Sequence, residues 1–286
     1  GALYNPTLFG DATQILRIYG SLTFIDDMNF DFEGLVYFEA TTPGHTITSA
    51  GHSFHNAVYF QGMNGGWSLQ DSLTIDNSSD LFKLCFVFGN LNSNSHTIRA
   101  PSFYSNYSGN LRTLNIENSK IILHTTNEWY EQIWVCNGNN LTLYADNSSI
   151  YARKIEHSGN TRSYHNIYLS GPYPNFYGGS SSFNLVEINP SSDLYPGYVY
   201  QNNIIDSLIT YKTITIIDAD TINFFSNNGF ASLNQQNSSN DGHTIGKALL
   251  LNNADINRNN QFDTLILSPG KIYNLEQNKT QIINDS

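Results

Sequence analysis

Apolar residues in this chain almost never recur at helical spacing. No long stretch carries them at i, i+3 and i+4, and no capping box precedes one. Short runs alternate apolar residues with Thr, Ser or Tyr instead, at the two-residue period of a strand. Examples are Ile15-Leu16-Arg17-Ile18, Leu35-Val36-Tyr37-Phe38, Leu73-Thr74-Ile75, Leu141-Thr142-Leu143-Tyr144 and Thr213-Ile214-Thr215-Ile216-Ile217. They recur roughly every ten residues and are separated by Asn, Gly and Ser clusters that supply turns. A chain built this way folds as all-β.

Two architectures satisfy that pattern, a β-solenoid and tandem β-sandwiches, and internal echoes favour the solenoid. Gly44-His45-Thr46-Ile47 is echoed by Ser95-His96-Thr97-Ile98. Phe54-His55-Asn56-Ala57-Val58-Tyr59-Phe60 is echoed by Tyr164-His165-Asn166-Ile167-Tyr168-Leu169, and Asn118-Ser119-Lys120-Ile121 by Asn147-Ser148-Ser149-Ile150. Degenerate repeats of this kind predict coils that stack and share one core. The expected fold is a right-handed parallel β-helix, with coils of roughly 20–30 residues and on the order of ten to fourteen rungs. Asn suits the corners, because it tolerates left-handed backbone and its amide can bond from rung to rung. Residues 1–33 are expected to form N-terminal coils or the edge of a preceding segment, and 34–286 the solenoid repeats. The character of both ends predicts an internal fragment of a larger polypeptide.

Charge removes several functions. Charged residues make up 13% of the 286, and the net charge is −11 with Lys and Arg totalling 13. No basic stripe exists for nucleic acid, and no apolar run approaches the ~18 residues of a membrane-spanning helix. Cys85 and Cys136 read as small buried hydrophobes, with a disulfide between stacked rungs as the alternative.

The run from Gly44 through Gly65-Gly66-Trp67-Ser68-Leu69 to Ile75, then Gly89-Asn90-Leu91, and finally Leu265-Ile266-Leu267-Ser268-Pro269-Gly270-Lys271-Ile272-Tyr273-Asn274-Leu275, resembles the repetitive β-helical segments of large cell-surface and secreted proteins of Bacteroidetes. Cys85-Phe86-Val87-Phe88 and Asn94-Ser95-His96 depart from that pattern. The resemblance implies a non-catalytic structural or adhesive module, exported by the type IX route and outside the cell at the outer-membrane surface. Such proteins often act in adhesion or gliding motility. Its partners would be the rest of its polypeptide and surface glycans or surface proteins. It also marks Ser72, Ser207, Thr221 and Thr264, each in an Asp-Ser/Thr-apolar triplet, as O-glycosylation candidates.

Residue types define the competing readings. If the chain is a polysaccharide lyase or hydrolase, the dense carboxylates Asp26, Asp27 and Asp31 are the acid/base candidates. If it is a carbohydrate-binding module, the aromatics Trp129, Tyr130 and Trp134 are the candidates for stacking on sugar rings. No cofactor is expected, although Asp255, Asn257, Asn259 and Asp263 follow the oxygen spacing of a calcium loop. That loop lacks the expected Gly at Asn260 and the bidentate Glu at Ile266, and Arg258 lies within it.

Overall fold

The computed structural model describes residues 5–284 apart from 77–82, 128, 130, 131, 219 and 235–240; of Asp241 only the backbone is described. Every regular element among the described residues is a β-strand, and these strands pair in parallel between successive turns of one winding chain. The fold is a parallel β-helix. Tandem sandwiches, which need antiparallel pairing, are not what forms.

Two compact units divide the chain, residues 1–151 and 152–286. Coils of the first unit have three sides. Val58–Phe60, Gly66–Leu69 and Leu73–Ile75 are successive strands of one coil, lying on faces here named A, B and C. Face A stacks Ile15–Ile18, Leu35–Phe38, Val58–Phe60, Lys83–Phe86, Ser102–Asn106 and Ile133–Asn137. Face A therefore already pairs residues before 34, through Ile15↔Leu35. Face B runs from Leu22–Thr23 to Leu141–Tyr144, and face C from Ser53–Phe54 to Ser149–Ala152.

Coils of the second unit have two sides. A narrow face stacks strands from Lys154–Ser158 to Tyr273–Leu275. A broad face stacks longer ones, including Ser163–Gly171, Ser182–Pro190, Ile204–Thr210, Thr221–Asn227, Asp241–Leu250 and Asn259–Leu267. Each broad strand bends in the middle. Along Thr221–Asn227 the buried residues are Ile222, Phe225 and Asn227, so the alternation slips once after Ile222. The pairing skips the same column on successive rungs: His165, Asn184, Asp206, Asn223, Gly246 and Asp263. These side chains leave the ladder and some bond across it. Asn223 Nδ2 donates to Asp206 Oδ1 at 2.8 Å, and Asn284 Nδ2 to Asp263 Oδ1 at 3.1 Å. At Gly246 a Cβ would sit 2.6 Å from the Asn223 carbonyl oxygen, so the rungs meet only because that position has no side chain.

One bent strand in place of two strands and a corner shortens the coil. Ile214 pairs with Ala231, which closes a turn of the helix in less chain than the repeats predicted. Phe103 pairs with Trp134 across a much longer stretch of chain.

Inward side chains stack rung upon rung. Val36, Val58, Leu84, Phe103 and Trp134 form one fully buried column of face A, with Phe103 and Trp134 rings 4.2 Å apart. Ile155, Phe176, Val199, Ile216, Leu233 and Ile256 form its counterpart on the narrow face. Each such side chain contributes about 1.5–3 kcal/mol on burial, which drives the stacking. Corners use left-handed backbone, with Asn at Asn64, Asn94, Asn118, Asn147 and Asn278. Asn118 and Asn147 hold equivalent corners, since Lys120 pairs with Ser149 and Asn147 Nδ2 donates to Asn118 Oδ1.

The other two echoes do not mark equivalent positions. His45 lies in a face B strand, whereas His96 precedes a face C strand. His55 follows the face C strand Ser53–Phe54, whereas His165 sits at the broad-face bend. Similar strings arise because any strand entry needs the same residue types. The cysteines are both free and buried. Cys85 aligns with Tyr59 and Tyr104, while Cys136 aligns with Ser105, the next position along. Adjacent strand positions point to opposite sides of the sheet, so no bridge forms.

Candidate functional site

Sequence reasoning singled out four groups of residues, which the fold places as follows. Asp26 and Asp27 are exposed in the turn between the strands Leu22–Thr23 and Asn29–Phe32, while Asp31 is exposed on the second of these. Trp134 is wholly buried in the face A column, so it cannot stack on a sugar. Trp129 is exposed between the strands Lys120–Leu123 and Ile133–Asn137, and Tyr130 lies outside the described residues. The calcium-loop oxygens separate, because Asp255 belongs to the narrow face and Asp263 to the broad one. Asp255 Oδ1 accepts from Asn274 Nδ2, and Asn259 Oδ1 from the Thr280 N–H. Among the described residues no three His, Cys, Asp or Glu side chains gather as a metal site.

The Asp-Ser/Thr-apolar triplets serve the coil. Asp71 accepts the backbone N–H groups of Ser49 and Ala50 at 2.8 and 2.6 Å, fixing a corner where Ala50 is left-handed. Asp206 and Asp263 accept at the broad-face bend, and Asp220 is buried. Of the marked hydroxyls, Ser72 and Thr221 are exposed; Ser207 and Thr264 are half-buried.

Two clefts lie on outer faces of the first unit. The first, of about 410 Å³, lies on face B. Its side chains are largely amides and hydroxyls: Asn64, Asn90, Thr113, Asn139, Asn140 and Thr142. Arg112 lies beneath it, buried, donating to the carbonyls of Ser105 and Asn137 at 2.9 Å each.

The second, of about 320 Å³, lies on face C and holds titratable groups. Its floor is one outward column of four rungs: Ser53, Thr74, Arg99 and Ile122. Each stands beside inward apolar neighbours, such as Leu73 and Ile75 around Thr74, so the period-two pattern turns these side chains outward. Its wall is the row just past the strand ends, with His55, Asp76 and His124. Asp76 Oδ2 lies 3.4 Å from His55 Nδ1, a loose pairing that leaves Nε2 as the ring's other polar atom. Sequence reasoning missed this cluster. Its members are unevenly spaced along the chain, so only the rung register brings Ser53, Thr74, Arg99 and Ile122 into one line.

Neither a protein-family model, nor a curated protein, nor a solved structure matches this chain.

Proposed function

We propose that the chain is a structural and adhesive module of a large bacterial surface or secreted protein, presenting a contact surface without catalysing a reaction. One observation carries the reading: polar side chains are largely spent on linking rungs. Asp71 holds a corner, Asn203, Asp220, His243 and Asn260 form a buried file, and Ser93 and Ser119 hydroxyls meet at 2.7 Å inside the coil. Side chains committed to such links add stiffness and are not available for chemistry. The outer faces meanwhile offer two shallow polar clefts of a size that holds sugar residues.

A panel of neutral and acidic polysaccharides tests this, with the purified chain assayed in calcium and in EDTA. Saturable binding with no release of shorter sugars is the expected result. Release of fragments, abolished by Asp27→Ala, would overturn it in favour of a polysaccharide lyase or hydrolase.

A further inference from the structure

We infer that the face C cleft is a binding site for an acidic sugar, recognised through its carboxylate. The inference rests on the adhesive reading and names the ligand class that one of its surfaces takes.

Arg99 is the first ground. Its guanidinium is always charged, and five N–H groups in a planar fork match a carboxylate's two oxygens. In a chain of net charge −11, several cations find partners. Arg17 pairs with Glu39, Lys154 with Glu156, and Arg112 binds backbone carbonyls. Lys83 and Lys120 lie over the rings of Tyr104 and Tyr151. Arg99 has no hydrogen bond, ion pair or ring contact among the described residues, and it stands exposed on the cleft floor. Asp76, the one carboxylate among the lining residues, is turned toward His55.

The surroundings of Arg99 are the second ground. A bare anion hole would need only donors. Here Ser53 and Thr74 place hydroxyls on the rungs to one side of Arg99, and Ile122 places an apolar side chain on the other. Hydroxyls can exchange hydrogen bonds with ring hydroxyls, and a branched aliphatic suits the C–H face of a pyranose. The rings of His55 and His124 add polar atoms along the wall. Neighbouring rungs stand about 4.8 Å apart, so this row is spaced along the direction in which an extended polysaccharide would lie.

Calorimetric titration tests the inference with tetragalacturonate, cellotetraose and inorganic sulfate, on the whole chain and on Arg99→Ala and Arg99→Lys. Arg99 is exposed, so both variants are expected to keep the wild-type circular dichroism. The expected result is saturable uronate binding that weakens about ten-fold or more in Arg99→Ala and less in Arg99→Lys, while cellotetraose is insensitive to residue 99. Uronate affinity unchanged in Arg99→Ala, displacement of uronate by sulfate at equal concentration, or no uronate binding would each overturn it. Cellotetraose binding, or binding elsewhere on the polysaccharide panel, would in those cases leave the adhesive reading standing; a flat response to every glycan would remove both.

Discussion

The buried file at the start of the broad-face strands shows what single residues contribute. Asn203 donates to Asp220 Oδ1 through both its backbone N–H and its amide, at 2.8 Å each. The Asp220 N–H donates to His243 Nδ1 at 3.3 Å, and the His243 N–H to Asn260 Oδ1 at 3.0 Å. Because His243 Nδ1 accepts, its proton sits on Nε2, which donates to the Asn234 carbonyl at 3.2 Å. Complete burial raises the Asp220 pKa well above its ordinary value and pushes His243 down to about 4. Above about pH 4 His243 is therefore neutral, so Asp220 Oδ2, 3.9 Å from its Nδ1, faces no imidazolium and the two do not form an ion pair.

Proton counting then fixes the pH dependence. Between about pH 4 and 6.5 the unfolded chain carries a proton on His243 that the folded chain does not, so His243 makes stability rise with pH, while Asp220, whose folded pKa is raised, adds a slope of the opposite sign. Asp220 thus contributes stability that is lost as pH rises through its raised folded pKa. Asp220→Asn removes that fall and exposes His243 alone. Urea midpoints of this variant should rise from pH 4 to 6.5, by about 3 kcal/mol of stability, and then level off. A variant with the wild-type profile would contradict the raised Asp220 pKa. Cys85 behaves by the same physics. Burial raises its thiol to about 11 against the opposing charge of Lys83, so thiol reagents should label it only after unfolding.

At the scale of elements, the bend separates the two kinds of coil. Gly246→Ala drives a methyl group into the Asn223 carbonyl and should cost on the order of 1–3 kcal/mol in chemical denaturation, although the residue lies in a strand where Ala is ordinarily the better choice. Trp134→Ala empties a buried position stacked on Phe103 and should cost about 3–5 kcal/mol. Glycan binding should survive in any Trp134 variant that remains folded. Strands were legible because their inward positions alternate, as in Ile15–Ile18 and Leu141–Tyr144. The broad-face bend left a trace too: Ile205-Asp206-Ser207-Leu208, Ile222-Asn223-Phe224-Phe225 and Phe262-Asp263-Thr264-Leu265 share an apolar, Asn or Asp, any, apolar string. Read as the acceptor triplet of a glycan, Asp206 and Asp263 gave no sign that their carboxylates face the next rung.

For the molecule as a whole, stability should come from rung-to-rung contact and not from a metal. Asp255 and Asp263 bond to Asn274 and Asn284 on different faces, so adding EDTA should leave the thermal midpoint unchanged within error, and a drop of several degrees would restore a calcium site. The sequence by itself determined the all-β class and the corner asparagines, because side-chain alternation and left-handed turns are local properties written into a few consecutive residues; it favoured the stacked coil over tandem sandwiches without deciding between them. Only the tertiary structure decided which residues meet. Coil length varies widely, from the short turn between Ile214 and Ala231 to the long one between Phe103 and Trp134. No fixed spacing therefore connects Ser53, Thr74, Arg99 and Ile122, or Asn203, Asp220, His243 and Asn260. Whether a carboxylate is a buried neutral link, a corner clamp or an exposed charge depends on the rung above it. That neighbour is set by the register of the winding, a property of the folded coil and of no single segment.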